Sequence, residues 1–347
     1  FRCQMLSRRY QELAQFCRKK SPQVAIECNP SGIRGENTAY LRAVDHDSLL
    51  PHGNFFWDES PNQYGLLENG ALCTHLRTMK LAEHFNSRVF YYSWKSELQL
   101  AEGLAFNRGC LGMAGTLQGK YLKPAQGPGA KYHRFLLAHA PLFCQSKSLA
   151  RVAVYRNFTS LAWNSLQPHQ QAILAEETLL ENHIPFDIIT SLKNLPYSVL
   201  LLPGTECLDD NEIAALTMFA RKGGKILLTG NAGSKDGWGR LRPRHPFQGK
   251  AFLQKNLVFL PELQLSCKAP PLSERLIWDS CYRVLDARFW VLPNNAEVLL
   301  QALRELQMPL QLCSVQAPDM TLVEPRQGPE DILLLHIIHC DPKNLHS

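Results

Sequence analysis

Apolar and polar positions along the first half of the chain follow two rhythms. In "MLSRRYQELAQFCRKK" the apolar residues are Met5, Leu6, Tyr10, Leu13, Phe16 and Cys17, close to the spacing of a helix with one buried face. Ser21-Pro22 ends it. "VAIECN" is a continuous apolar run stopped by Asn29-Pro30-Ser31-Gly32, which predicts a short buried strand. Asn54–Trp57 predicts a second strand, and "GALCTHLRTMKLAEHF" a helix with Leu72, Leu76, Met79 and Phe85 on one face. "RVFYYSW" then predicts a strand, "SELQLAEGLAFN" a helix and "GCLGMAG" a fourth strand. Continuous apolar runs suit strands buried on both faces of a parallel sheet. The strand–helix–strand order predicts parallel βα units. Four such units make either half of a (β/α)8 barrel or one flank of an open sheet.

Past the Gly- and Pro-rich "KPAQGPGAKYHR", the segment "YHRFLLAHAPLFCQSK" predicts a helix leading into a second alternating unit. There "ARVAVYRNF" reads as a strand and "QQAILAEETLLENHIPFDIIT" as a helix running into a strand that starts at Phe186. "YSVLLLPG" is a strand, "LDDNEIAALTMFARKGG" a helix and "KILLTGNAG" a strand. Asp209 or Asp210 is placed to cap that helix, and Gly223-Gly224 supplies the positive-φ freedom used at its end. An open, doubly wound sheet follows from this order. After Leu253 the pattern breaks into a Pro-rich stretch. A helix near Ala296–Leu306 comes next, and "DILLLHIIHC" reads as the opening of an antiparallel β domain.

The composition, 45% hydrophobic and 20% charged over 347 residues, is that of a globular protein with two or more domains. A net charge of +6 is small for this length, and Arg18–Lys20 and Arg240–His245 are too short for nucleic-acid tracts, so no nucleic acid is expected. The 11 cysteines form no C-x-x-C pair, and many sit inside apolar segments. They point to buried reduced thiols and a cytoplasmic protein rather than a disulfide framework. No apolar run reaches the roughly 18 residues of a membrane span, and no signal-like start is seen, so no membrane is expected. The chain opens at Phe1, inside a helical pattern, and closes just after an apolar strand, the ends expected of a fragment.

The series "FDIIT…YSVLLLPGTECLDDNEIAALTMFARKGGKILLTGNAG", within Ala150 to Phe247, resembles the amidotransferase-like trimerisation domain of bacterial β-galactosidases. Upstream, "ECNPSGIRGENTAYLRAVDHDSLLPHGNFFWDESPN" and "LAEGLAFNRGC" resemble, more loosely, the second half of the barrel of related glycoside-hydrolase-like proteins, within Phe1 to Ala114. The resemblance implies an α/β chain in three parts. Residues 1–145 would hold the C-terminal half of a (β/α)8 barrel. Residues 146–255 would hold the doubly wound, amidotransferase-like domain, and residues 256–347 a mixed segment and the start of a small β domain. The barrel strands would be Val24–Cys28, Asn54–Trp57, Arg88–Tyr92 and Cys110–Ala114. A homo-oligomer, a trimer by the same resemblance, is implied as well. The family's general acid Glu follows the fourth barrel strand, upstream of Phe1. Its nucleophilic Glu ends the seventh, where this chain reads Tyr92-Ser93-Trp94.

In such barrels the reacting groups project from the C-terminal strand ends. Those ends carry Glu27 and Asn29, then Asp58 and Glu59, then Tyr92 and Trp94. Carboxylates serve as acid, base or nucleophile, and flat rings complement the C–H face of a pyranose. Neighbours on a strand point to opposite sides, so only one of Asp58 and Glu59 aims at a pocket. Glu59 is the expected catalytic carboxylate with Asp58 as its supporting neighbour; the alternative is a pair of capping or surface acids. Glu27 is either a pocket group or an acid buried against Arg or Lys. The loop from Gly32 to Pro51 brings Arg34, Asn37, Asp45 and His46, which either bind sugar hydroxyls or form a solvated loop. Trp57 and Trp94 are core rings or sugar platforms. No His or Cys spacing marks a metal, and no cofactor is expected. In the second unit the elbow after "KILLTG" reads Asn231-Ala232-Gly233, with no thiol, and Cys207 has no evident His partner. The sequence therefore points to a glycoside hydrolase-like protein acting on O-glycosidic bonds of a saccharide. A catalytically silent carbohydrate-binding or assembly protein of the same kind is the alternative.

Overall fold

Parallel pairing runs through both halves of the chain, as continuous apolar strands require. The computed structural model describes residues 1–30, 32–33, 38–58, 65–66, 72–73, 75–91, 97–112, 115–118, 121–124, 128–163, 167–249, 255–266, 292–310, 315–318 and 320–340. The chain divides into two units. Phe1–Ile33, Leu41–Leu149 and Ala317–Ser347 make the first, and Arg34–Tyr40 with Ala150–Gln316 the second.

The chain starts with α1 (Arg2–Lys20), β1 (Glu27–Cys28), the short helix α2 (Thr38–Arg42), whose residues Thr38–Tyr40 are counted with the second unit, then α3 (His46–Leu49) and β2 (Phe55–Trp57) of the first. A small hairpin of β3 (Gly65–Leu66) and β4 (Leu72–Cys73) precedes α4 (Leu76–His84), β5 (Arg88–Phe90) and α5 (Glu97–Phe106). A second hairpin, β6 (Gly115–Gln118) with β7 (Tyr121–Pro124), leads to α6 (Pro128–Cys144) and β8 (Lys147–Ser148). Strands β1, β2 and β5 form a parallel sheet in that order, with Glu27 opposite Phe55 and Trp57 opposite Phe90. The strand predicted over Val24–Cys28 contracts to its last two residues, and Cys110–Gly112, predicted to begin a fourth strand, carry none. Alternation buries Phe56, Val89 and Tyr91 completely. Phe55, Trp57 and Phe90 are half-buried and pack ring on ring, 5.0 and 5.9 Å between centroids. Asn107, just past α5, clasps the Val89 backbone from both sides: its amide donates to the carbonyl at 2.9 Å and its oxygen accepts from the N–H at 3.2 Å.

Helix α1 departs from its predicted face. It buries Ser7 and Ala14, while Leu13 and Phe16 are 63% and 60% exposed. The small residues let α1 approach α3 closely, where Ser7 and Ser48 hydroxyls meet at 2.7 Å. In α6 the helical path kinks at His139, two residues before Pro141, whose ring and missing N–H break the hydrogen-bond ladder.

The second unit runs β9 (Val152–Tyr155), α7 (Phe158–Trp163), α8 (Gln167–Glu181), β10 (Phe186–Ile189), β11 (Val199–Pro203), α9 (Asp210–Arg221), β12 (Lys225–Thr229), β13 (Leu257–Leu260) and α10 (Ala296–Glu305). Its strands are all parallel, in the order β10-β9-β11-β12-β13, the arrangement of a flavodoxin-like doubly wound sheet. Every residue of β9 and β11 is buried, which is why their apolar runs are unbroken. Asp209, rather than Asp210, caps α9 through a box in which the Asp209 carboxylate accepts from Glu212 N–H and the Glu212 carboxylate from Asp209 N–H. Gly223, at φ +96°, turns the chain out of that helix. Strand β13 lies in the stretch read from sequence as patternless. At the sheet edge it buries Leu257 but exposes Phe259, so no continuous apolar run announces it.

The chain then returns to the first unit as the antiparallel hairpin β14 (Thr321–Gln327) and β15 (Leu333–His339), which pairs with β8. Its inner face carries charge. Lys80 of α4 meets Glu324 at 3.0 Å, and Arg326 bonds Glu83 of α4 at 3.0 Å and the Ser146 hydroxyl at 2.8 Å. Arg108 grips the same Glu83 with two bonds of 3.0 Å.

Candidate functional site

The C-terminal ends of β2 and β5 gather a line of buried polar groups. The Asp58 N–H continues the parallel ladder by donating to the Phe90 carbonyl at 2.8 Å. One more step of alternation turns its side chain to the side of Phe56, where Asp58 is 1% exposed and its Oδ2 lies 3.0 Å from His75 Nδ1. His75 precedes α4 and its carbonyl accepts the first helical bond, from Met79 N–H. Its ring stacks on Tyr91, 5.7 Å away and tilted by 26°. The Tyr91 hydroxyl donates to the Gln99 carbonyl of α5 at 3.0 Å, and burial raises its pKa well above the usual phenol value. Gly103 makes room for that hydroxyl, since a Cβ there would come within 2.3 Å of it.

Glu102, one residue before, is fully buried, with the His75 backbone beside its carboxyl. Loss of solvent pushes its pKa well above the carboxylate range. Gly32, which follows β1 in the chain, packs against the same group. A Cβ on it would stand 2.3 Å from Asp58 Oδ2 and 2.1 Å from Thr78 Oγ1, and that hydroxyl accepts from Ile33 N–H at 3.3 Å.

The other candidates from sequence lie in different places. Glu59, Arg34, Asn37, Tyr92 and Trp94 lie outside the described residues. Glu27 and Asn29 are exposed at the end of β1. Asp45 caps α3, its side chain accepting from Asp47 N–H at 3.1 Å, with burial raising its pKa; His46 is buried in the first turn of that helix. Trp57 packs on Phe90 in the sheet. Sequence reasoning passed over His75, Tyr91, Gln99 and Glu102. The available signal was Gln99 and Glu102 set among the apolar positions of "LQLAEGLAF".

In a doubly wound sheet the default ligand crevice lies where the strand order reverses, here between the ends of β9 and β11. The chain fills that crevice itself. The Ser160 hydroxyl accepts from Cys207 N–H at 2.9 Å, and Asn157 Oδ1 accepts from the Ser160 N–H and hydroxyl at 2.6 and 2.8 Å. Arg156, behind them, makes a two-pronged bond to Glu176, 2.9 Å on each prong, with both groups buried. Burial raises the pKa of Cys207, the opposite of what an activated thiol needs.

No protein-family model and no curated protein matches the sequence. Solved structures do match in fold. The β-galactosidase from Bacillus circulans sp. alkalophilus aligns at a TM-score of 0.63 and 12% identity, over 93% of this chain and 59% of that one. The cold-adapted β-galactosidase from Rahnella sp. R3 aligns at 0.62 and 12%, over 97% and 61%. Gan42B, a GH42 β-galactosidase from G. stearothermophilus, aligns at 0.55 and 13%, over 90% and 58%. The chain thus spans about three-fifths of the length of these structures. At such identity the likeness is one of fold: this is a mixed α/β chain with a glycoside-hydrolase-like fold.

Proposed function

We propose that this chain forms part of a glycosidase that cleaves O-glycosidic bonds of a saccharide, with Glu59 as the working carboxylate. The fold is one support. The observation that carries the reading is Asp58: at the C-terminal end of β2, where barrels of this kind carry their reacting groups, its carboxylate is buried and held against His75, which leaves the next acid in the chain, Glu59, as the proposed working group. In this role the Asp58–His75 pair positions the strand end and does not touch substrate. The half-buried rings of Trp57 and Phe90 offer an apolar surface for a pyranose. The second unit, its crevice closed by Ser160, serves assembly into a homo-oligomer rather than chemistry.

A panel of aryl glycosides tests this on the purified chain beside Glu59→Gln. The reading expects turnover that falls roughly a hundredfold or more in the variant, with circular dichroism unchanged. Equal turnover would remove Glu59 from the mechanism. A silent saccharide-binding or assembly protein is the competing reading, favoured by Tyr92-Ser93-Trp94 where the family nucleophile would stand. Saccharide retention with no turnover by the wild-type chain would decide for it.

A further inference from the structure

A cavity of about 530 Å³ opens in the first unit at the other ends of the same strands. Its walls include Val24 and Ala25 ahead of β1, Asn54 and Phe55 at the start of β2, and Arg88 at the start of β5. Arg18 and Arg108 complete a set of three guanidinium groups, and no Asp or Glu lines the space among the described residues.

Charge is left over here. Arg88 has one described side-chain hydrogen bond, to the Ser87 carbonyl at 3.4 Å, and Arg18 one, to Asn54 Oδ1 at 3.4 Å. Arg108 has a carboxylate, but Glu83 also serves Arg326, while Glu324 serves Lys80 and lies 3.6 Å from Arg326. Among the described pairings, three cations, Arg108, Arg326 and Lys80, thus draw on two acids before Arg18 and Arg88 are counted. Desolvation, then the neighbouring Arg108, pulls the Arg88 pKa below its usual value. Like charges on a half-buried wall repel, and a bound anion relieves that repulsion.

We propose that this cavity binds a phosphate- or sulfate-type oxyanion, free or carried on a small molecule, with Arg88 as its principal ligand. The planar guanidinium offers paired donors to such a group, and Asn54, Asn86 and Gln23 add amides from the same walls. The volume falls in the range of small-molecule sites, so a modest organic body fits beside the anionic head.

The test is titration of the purified chain with inorganic phosphate and, separately, with phenyl phosphate, by calorimetry at ionic strength matched with chloride. Saturable binding is expected, weakened about tenfold or more in Arg88→Met and partly kept in Arg88→Lys. Tighter binding of phenyl phosphate than of phosphate would assign the site to an organic ligand, and equal binding to the free ion. A second readout uses wild-type protein alone. Cys144 is exposed and lines the cavity, so either anion should slow its alkylation by iodoacetamide, whereas chloride should not. No heat of binding and no protection of Cys144 at up to about 10 mM anion, a concentration that would fill even a weak site, would overturn the proposal.

Discussion

Replacing Glu83 with Gln takes one negative charge from between two arginines. The carboxylate accepts from Arg108 at 3.0 Å on both oxygens and from Arg326 at 3.0 and 3.1 Å. With an effective dielectric constant of about 20, one unit pair at 3.0 Å attracts by about 5–6 kcal/mol before desolvation is subtracted. Arg326 is only 2% exposed, so it cannot turn to water once its partner is neutral. Loss of one member of a buried pair costs about 3–5 kcal/mol, and the lower end applies because the Gln oxygen still accepts one bond. The expected result is a loss of about 3 kcal/mol in the first unit.

Urea unfolding followed by hydrogen exchange at the β14–β15 amides reads this unit separately, which matters in a chain of two units. The double variant Glu83→Gln/Arg326→Met should recover about 1–2 kcal/mol, because the stranded charge goes with it. Acid supplies a third check. Burial alone would raise the Glu83 pKa, but Arg326 and Arg108 hold it below the ordinary 4.5. Its contribution is therefore complete above 4.5 and disappears as pH falls through the lower folded value, where variant and wild type converge. A Glu83→Gln cost under about 0.5 kcal/mol, or strictly additive costs in the double variant, would refute this account of the Arg108–Glu83–Arg326 cluster.

Other outcomes follow from the same geometry. Glu102 has a folded pKa above its unfolded value, so stability drains as pH rises past 4.5 and the unfolded chain sheds the proton first. Glu102→Gln should melt higher than wild type, by a margin that widens with pH; a constant margin would mean burial does not raise that pKa. Gly32→Ala drives a Cβ to within 2.7 Å of Thr78 Cγ2 and closer still to two oxygens, an overpacking cost of about 1–3 kcal/mol in thermal melts. Ser160→Ala should cost about 1–3 kcal/mol in the second unit, since it strands the buried Cys207 N–H. Exchange of that amide with solvent should quicken accordingly.

Much of this protein is written locally. "VAVY", "VLLLP" and "KILLT" announce parallel strands because central strands bury every side chain and tolerate no polar interruption. Asp209, Glu212 and Gly223 announce both ends of α9 because caps act over three or four residues. The edge strand β13 escaped notice because an edge is only half buried. The buried face of α1 went astray for a related reason. Spacing identifies an apolar stripe, but the neighbour decides which side is covered, and α3 takes the one with Ser7. The pairings that define the site and the charged cluster join residues far apart in the chain: Asp58 with His75, Tyr91 beside Glu102, Lys80 with Glu324 across 244 positions. Propensity and periodicity act within a few residues, so the sequence alone set the strands and helix ends. Which carboxylate is paired, which has its pKa raised by burial and which arginines line a cavity without an acid among the described residues depends on long-range packing, and only the tertiary structure decided it.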